Sequence, residues 1–455
     1  MERRDFLKLC SMTGLAVVAG ATASKSNDAN AAGAYDGPLH LFVHQGGGWD
    51  VTSVCDPKGS LGDTDTDPMN KYPASAIEAE ATSGNIRWAP MELSPDVEGN
   101  PRALANKTFF EKYAPELLVI NGIDMMTNSH DVGTRAIWAG DLTEGKPTVA
   151  ALIAAAYLPE GPMSFVSFGG YDVTGGVIAA TRLGNVNAIK KLAFPYRRDP
   201  NNPESLAISE ATQARIAEAR KARHDIRIAE QRLPRIQESM STLYLSRLGQ
   251  NELKRLVEFL PESVEQGIAG ATQLVIAAYK AGLCVAANLS TGGWDTHGNN
   301  DPNVVNALSG LFGDPTRTGS ADDPHTGVAR MIELLDEAQI RDNSVVYLGS
   351  DFGRTPGYNE GNGKDHWAVS SMIVMGSVNG KKIAGNRVVG ATDERHNPLD
   401  VDPKTLEVGD GKRIKPGHVQ NAIRKLAGIT ESEVARRFPT TEDASEFADL
   451  IKLEG

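Results

Sequence analysis

The chain has 455 residues and a formal net charge of −12. That length suits one large α/β domain or two medium ones, with ample chain to bury a core. The acidic balance argues against nucleic acid, whose phosphates need a basic face, and no run approaches the roughly twenty apolar residues of a membrane span, so no stable membrane anchor is expected.

In chain order, residues 1–34 read as a twin-arginine export signal: Arg3 and Arg4 precede Asp5, Phe6, Leu7 and Lys8, a mildly apolar run follows from Met12 to Ala23, and A-x-A sites end at Ala31 or Ala34. Cys10 stands at the start of the apolar run, where it cannot serve as a lipobox cysteine. The expectation is a soluble product, periplasmic or secreted, handled by the twin-arginine translocase during export. Cys55 and Cys284 then remain. They could pair in an oxidising compartment, but Cys284 lies in an apolar run and can equally be buried and free.

LHLFVHQGGGWD (39–50) runs from a strand through glycines to Asp50. Residues 56–101 are polar and broken by Gly and Pro, which predicts a long ordered loop. Thr108–Ala114 ends a helix, Glu116–Asn121 is a strand, and the turn beyond it crowds Ser129, His130, Asp131, Thr134 and Arg135. Pro147–Leu158 is an Ala-rich helix with Pro at its start, and Ser164–Phe168 a short strand. Around 204–262 the rhythm changes to Arg, Glu and Ala without strand-like runs, which predicts charged helices inserted into the α/β domain of residues 35–455. These are a lid, a partner surface or simply solvated helices.

Alternation then resumes. Ile268, Ala271, Leu274, Val275 and Ala278 mark a helix leading into LCVAANLSTGGWDTH (283–297). Val328, Met331, Ile332 and Leu335 mark another before the strand Val345–Leu348, a sequence that predicts parallel crossover units. Met372–Met375 is a further strand, and Val419, Ala422, Ile423 and Leu426 a final helix. Between the last two strands a Gly- and Asn-rich loop carries Asp351, Arg354, Asp365 and His366. An acid ending a buried strand must be paired, hydrogen-bonded or bound to a cation; Arg354 is the local candidate to pair with Asp351 if it only caps a turn. GGWD occurs twice, and Trp49, Trp294 and Trp367 each adjoin an acid or a histidine among only five tryptophans. They are expected either as walls of a pocket or as ordinary core aromatics.

The twin-arginine start, the Gly-rich acid loop, NSHDVGTRAIWAGD, GGWDTHGNND, SDFGRTPG and GKDHW, in this order, resemble the exported family numbered 1501 among domains of unknown function, a branch similar to the alkaline phosphatase and sulfatase superfamily. The resemblance spans nearly the whole chain after the signal. It implies an alkaline phosphatase-like three-layer α/β/α fold, with a mostly parallel central sheet and a site at the carboxyl ends of the strands. It further implies a site built from Asp and His on one or two divalent metals beside a hydroxyl nucleophile. By position, Asp50 resembles the acid after the first strand, and Ser129 or Thr134 the nucleophile. Asp295 with His297 resembles one metal site, and Asp351 with His366 the other, with Asp365 alongside. Phe352 stands where the superfamily often has His, and the family mostly has Glu at the position of Asp351.

Carboxylates with a few imidazoles suit Zn, Mn, Ca or Mg, and Arg135 or Arg354 could neutralise a transferred phosphoryl or sulfuryl group. The leading expectation is a metal-dependent hydrolase of a small-molecule or polymeric phosphate or sulfate ester. The second is a non-catalytic exported binding or assembly protein that reuses the fold.

Overall fold

A computed structural model describes residues 34–62, 65–234, 236, 237, 240 and 250–454. The expected export signal with Cys10, and part of the 204–262 segment, lie outside them. The described residues form two compact units, one within 184–260 and the other of 35–183 with 261–454.

The larger unit is built on β1 (Leu39–Gln45), α1 (Ala74–Glu80), α2 (Ala105–Tyr113), β2 (Leu118–Asp124), α3 (His130–Ala139), α4 (Val149–Tyr157), β3 (Phe165–Ser167) and β4 (Ala180–Thr181). The smaller unit contributes α5 (Val186–Ala193), α6 (Glu210–Glu230) and α7 (Gln250–Phe259), and α6 buries none of its residues, as its charge pattern predicts. The larger unit resumes with α8 (Gly267–Lys280), β5 (Ala286–Thr291), α9 (Asn300–Phe312), α10 (Gly327–Glu337), β6 (Ser344–Ser350), β7 (Val369–Val378), β8 (Lys381–Lys382), β9 (Arg387–Val389), α11 (Pro416–Leu426) and α12 (Glu433–Arg437).

The main sheet runs β9-β2-β7-β6-β1-β5-β3-β4, with β8 hanging from β7. Every pairing along that path is parallel except those of β7, which is antiparallel to both β2 and β6. Side chains alternate between two faces of a strand. Phe42, Leu118, Ile120, Val345, Tyr347, Met372 and Val374 join one core with α3, α4, α11 and α12. Their strand neighbours Leu41, Val43, Val119, Val346, Leu348 and Ile373 are also buried, on the opposite face. There α2, α8, α9 and α10 pack with one another. The result is a mixed, mostly parallel sheet between two helical layers. Burial on both faces explains why β1 and β6 read as nearly unbroken apolar runs.

One expectation changes, and one of two open alternatives holds. Residues 56–101 are not a plain loop. They hold α1, a ribbon pairing Thr82–Ser83 with Ile86–Arg87, and short 3-10 turns, pinned by the fully buried Asn70, Tyr72 and Trp88. Cys55 and Cys284 are both buried and both free.

Candidate metal centre

Because β1, β2, β5 and β6 run one way and β7 the other, the segments leaving the first four and entering the last meet at one edge of the sheet. That edge gathers the GGGWD turn, the start of α3, the GGWDTH turn, Asp351 and His366.

Asp351 follows the last residue of β6 and is 1% exposed. Its Oδ1 accepts from the Gly48 N–H at 2.6 Å and from Ser350 Oγ at 2.8 Å, and its Oδ2 lies 2.5 Å from His130 Nδ1. Gly48 can deliver that N–H only as glycine: its φ is +72°, and an added Cβ would sit 2.4 Å from the Phe352 ring. Gly133, one turn into α3, lets the helix approach so closely that a Cβ there would lie 2.0 Å from the Asp351 carbonyl oxygen. The buried carboxylate is thus explained by three donors, one of them His130.

Three imidazoles are anchored in the same manner. His130 Nδ1 is held by Asp351, His297 Nδ1 by Asp365 Oδ1 at 2.7 Å, and His366 Nδ1 by the Asn128 carbonyl at 2.8 Å. Carboxylates and carbonyls only accept, so each neutral ring carries its proton on Nδ1 and presents a lone pair at Nε2. Those Nε2 atoms converge on Asp295 Oδ1, at 3.7 Å for His130, 3.1 Å for His297 and 3.4 Å for His366, and the Nε2 atoms of His297 and His366 are 3.0 Å apart. Lone pairs facing one another repel unless a proton or cation sits between them. Donors bonded at about 2.0 Å to one tetrahedral ion lie about 3.3 Å apart, which matches these separations. The ligating atoms of His130, Asp295 and His366 all fall within 4.8 Å of one another. His130, Asp295 and His366 therefore fit a divalent ion, with His297 adjoining them, and two imidazoles beside one carboxylate favour zinc over calcium or magnesium.

Asp295 is half-exposed and ionised: burial pushes its carboxyl up, but the hydrogen bond and charge of Arg354, with Nη2 at 2.6 Å, outweigh that and hold it below the usual range. Arg354 is itself fully buried, donating from Nε to Gly48 O at 2.8 Å, from Nη1 to Lys364 O at 3.0 Å and from Nη2 to Gly47 O as well as to Asp295. It pairs with Asp295, not Asp351, and orients that carboxylate, with its own donors taken up by the chain. The exposed Asp365 supports His297, whose hydrogen bond is the main cause of its lowered carboxyl pKa.

Other expected site residues lie apart from the cluster. Asp50 is fully buried and caps the turn Val51–Ser53, accepting from Thr52 Oγ1 at 2.6 Å, Ser53 Oγ at 2.7 Å and Lys364 Nζ at 2.7 Å. Burial alone would raise its carboxyl, but the Lys364 ammonium overrides this and keeps it below the usual range. With an ammonium and hydroxyls on its oxygens it is no metal ligand. Thr134 Oγ1 bonds back to the His130 carbonyl at 2.7 Å within α3, and Arg135 turns to Leu142 O at 2.7 Å and to Glu144. Ser129 is exposed at the N-cap of α3, beside His130, with no side-chain cap bond. Trp49 and Trp294 are fully buried, 6.2 Å apart in a T-shaped pair, beneath the loops and not as pocket walls. Phe352 does line the cluster, its ring centroid 4.7 Å from that of His130 and 4.6 Å from that of His366.

His130 is the ligand candidate that sequence reasoning passed over in favour of its neighbours. The available signal was its place at the first turn of a helix following a strand, the same strand-to-loop design that drew attention to Asp295 and Asp351.

Residues 171–406 match the model of a family described as "Protein of unknown function (DUF1501)". No curated protein matches the sequence. Among solved structures, the chain is similar to Ps i-CgsB in complex with k-i-k-neocarrahexaose at 10% identity and a TM-score of 0.33, over 87% of this chain and 73% of that one. It is likewise similar to the PsFucS1 sulfatase from Pseudoalteromonas sp. at 10% identity and TM-score 0.33, over 90% and 73% of the two chains. The putative sulfatase yidJ from Bacteroides fragilis gives 11% identity and TM-score 0.29, over 92% and 78%. Likeness at that level carries nothing about substrate or chemistry. Among the described residues no helix is long and apolar enough to cross a membrane.

Proposed function

Given that the chain belongs to the DUF1501 family, we propose that it is a divalent-metal hydrolase of phosphate or sulfate esters, exported by the twin-arginine route. One observation carries this reading: three imidazoles, each fixed through Nδ1, aim Nε2 at a single carboxylate oxygen. Such an arrangement is self-repelling unless a proton or a cation lies among the lone pairs, and its partly open side would admit a cation.

His130, Asp295 and His366 would hold the ion, with His297 beside them. A divalent ion there supplies Lewis acidity and makes water a nucleophile near neutral pH. The chain's own groups do the rest. Asp351, Asp365 and the Asn128 carbonyl fix the three rings in the ligating tautomer. Arg354 holds Asp295 ionised and turned toward them, and Phe352 closes one side with an apolar ring, limiting water. Ser129 is the hydroxyl beside His130 for a covalent route.

Elemental analysis of the purified protein, combined with aryl phosphate and aryl sulfate ester assays with and without chelator, tests the reading. Expected are bound metal and chelator-sensitive turnover that His366→Ala abolishes and Ser129→Ala lowers only if a covalent route operates. No bound metal, with no turnover after adding Zn, Mn, Ca or Mg, refutes the proposal and leaves a non-catalytic binding protein.

A further inference from the structure

His44 lies on β1 in register with Ser290 of β5 and Gly349 of β6. It shares the sheet face of Gly349 and hence of Asp351, which follows two residues on, about 7 Å along the strand. Its Nδ1 accepts from the Trp138 indole N–H at 3.0 Å. An indole only donates, so a neutral His44 must carry its proton on Nε2. Burial also lowers the pKa of the ring, which keeps it neutral at pH 7. Although His44 is only 7% exposed, no described residue accepts from that Nε2–H.

Two glycines stand against His44 where a side chain would crowd it. A Cβ on the partly exposed Gly46 would lie 3.7 Å from His44 Nε2, and one on Gly170, whose φ is +73°, 3.1 Å from His44 Cβ. Helix α3 ties this point to the metal cluster, since it carries Trp138, which fixes the His44 tautomer, and His130, which Asp351 fixes. A preorganised, unpartnered donor beside a cation-binding cluster is suited to an oxygen bearing negative charge.

We propose that His44 is an oxyanion-binding point of this site: its Nε2–H, reached past Gly46 and Gly170, takes a non-bridging oxygen of a phosphate or sulfate group. The inference rests on the hydrolase reading for what is cut, but not for what is bound. Zinc-supplemented protein titrated with inorganic phosphate and, separately, with sulfate by calorimetry tests it in wild type, His44→Ala, His44→Gln and Trp138→Phe.

At least one anion is expected to bind wild type, about tenfold or more tightly than it binds His44→Ala, since a hydrogen bond to a charged group is at stake. His44→Gln keeps an N–H at a similar reach and should recover most of the loss. Trp138→Phe frees the ring to put its proton on either nitrogen and should fall between. Zinc content should be the same in all four, and the nitrogen-15 shifts of the wild-type ring should show the Nε2–H tautomer. Equal binding in His44→Ala, no anion binding by wild type, or loss of zinc on substitution each overturns the proposal. Anion binding through His44 without ester turnover would remove the hydrolase and keep the subsite. Ester turnover with anion binding indifferent to His44 would do the reverse.

Discussion

Asp351→Asn isolates the part played by the group that orients His130, a candidate metal ligand. The carboxylate receives two protein donors on Oδ1, Gly48 N–H at 2.6 Å and Ser350 Oγ at 2.8 Å, and only His130 Nδ1 on Oδ2. An asparagine can keep its oxygen on one side only. Keeping it on Gly48 and Ser350 preserves two bonds and turns the amide N–H₂ toward His130, which must then move its proton to Nε2 and lose the ligating lone pair. The opposite orientation spares His130 but strands the buried Gly48 N–H, at a cost of about 1–3 kcal/mol of fold stability. The Ser350 proton is shared with the Gln45 carbonyl at 2.6 Å, but the buried Gly48 N–H depends on this oxygen, so the first orientation should win. Loss of an orienting partner of this kind lowers metal affinity about 10–100-fold, equivalent to about 1.4–2.8 kcal/mol. Competition for zinc against a chromophoric chelator measures the affinity, and denaturant unfolding of the metal-free protein measures the fold. Unchanged zinc affinity together with a clear loss of apo stability would refute the assignment of Asp351 as the group that sets the His130 tautomer.

Lys364→Met leaves the Asp50 carboxylate buried and unpaired, and denaturant unfolding should show a loss of about 3–5 kcal/mol, while the double variant Asp50→Leu/Lys364→Met recovers most of it. Since the folded pKa of Asp50 is held below its ordinary 3.8, its contribution is present above that value and is lost as pH falls through the folded pKa. Wild type should therefore lose stability on acidification below about pH 4, and Asp50→Asn should flatten that limb of the stability curve measured by urea midpoints. Gly133→Ala pushes a methyl to 2.0 Å from the Asp351 carbonyl oxygen and should cost about 1–3 kcal/mol, with zinc affinity falling as α3 shifts. A chelator should lower the melting temperature of metal-bearing protein. Free zinc a hundredfold above its dissociation constant adds about 2.7 kcal/mol, and an unchanged melting temperature would speak against a bound ion.

The central strands were legible because their burial on both faces requires runs such as LHLFV and VVYL, and α4 because an all-apolar Ala-rich segment has to be a covered helix. The reversed direction of β7 is not part of the sequence reading, although its signal is local: no helical pattern separates Asp351 from Val369, and a parallel partner would have needed a crossover of a dozen or more residues, usually helical. Residues 56–101 could not be read in the same way. Their order comes from distant partners, such as Asn106 Nδ2 donating to Ser53 O and Ala89 O at 2.9 Å each, and Trp88 stacked on Phe110 at 5.7 Å. No short window of that segment contains all the groups that hold it.

The two GGWD turns show where local reading of a site stops. Both acids leave parallel strands after the same four letters, yet Asp50 is sealed against Lys364 while Asp295 faces a half-open cluster. Part of the difference is local. Asp50 is followed at the second and third positions by Thr52 and Ser53, hydroxyls that fold back on the carboxylate as a turn cap, whereas Asp295 is followed at the second position by His297, whose ring points Nε2 at the acid. The remainder is not local. His130 becomes a ligand candidate only because Asp351, 221 residues away, fixes its tautomer, and Arg354 becomes a positioning group only because the GGG turn supplies two carbonyls to its guanidinium. What converts scattered acids and histidines into one centre is therefore the sheet order that places β6 between β7 and β1, and that order is a property of the fold and not of any one motif.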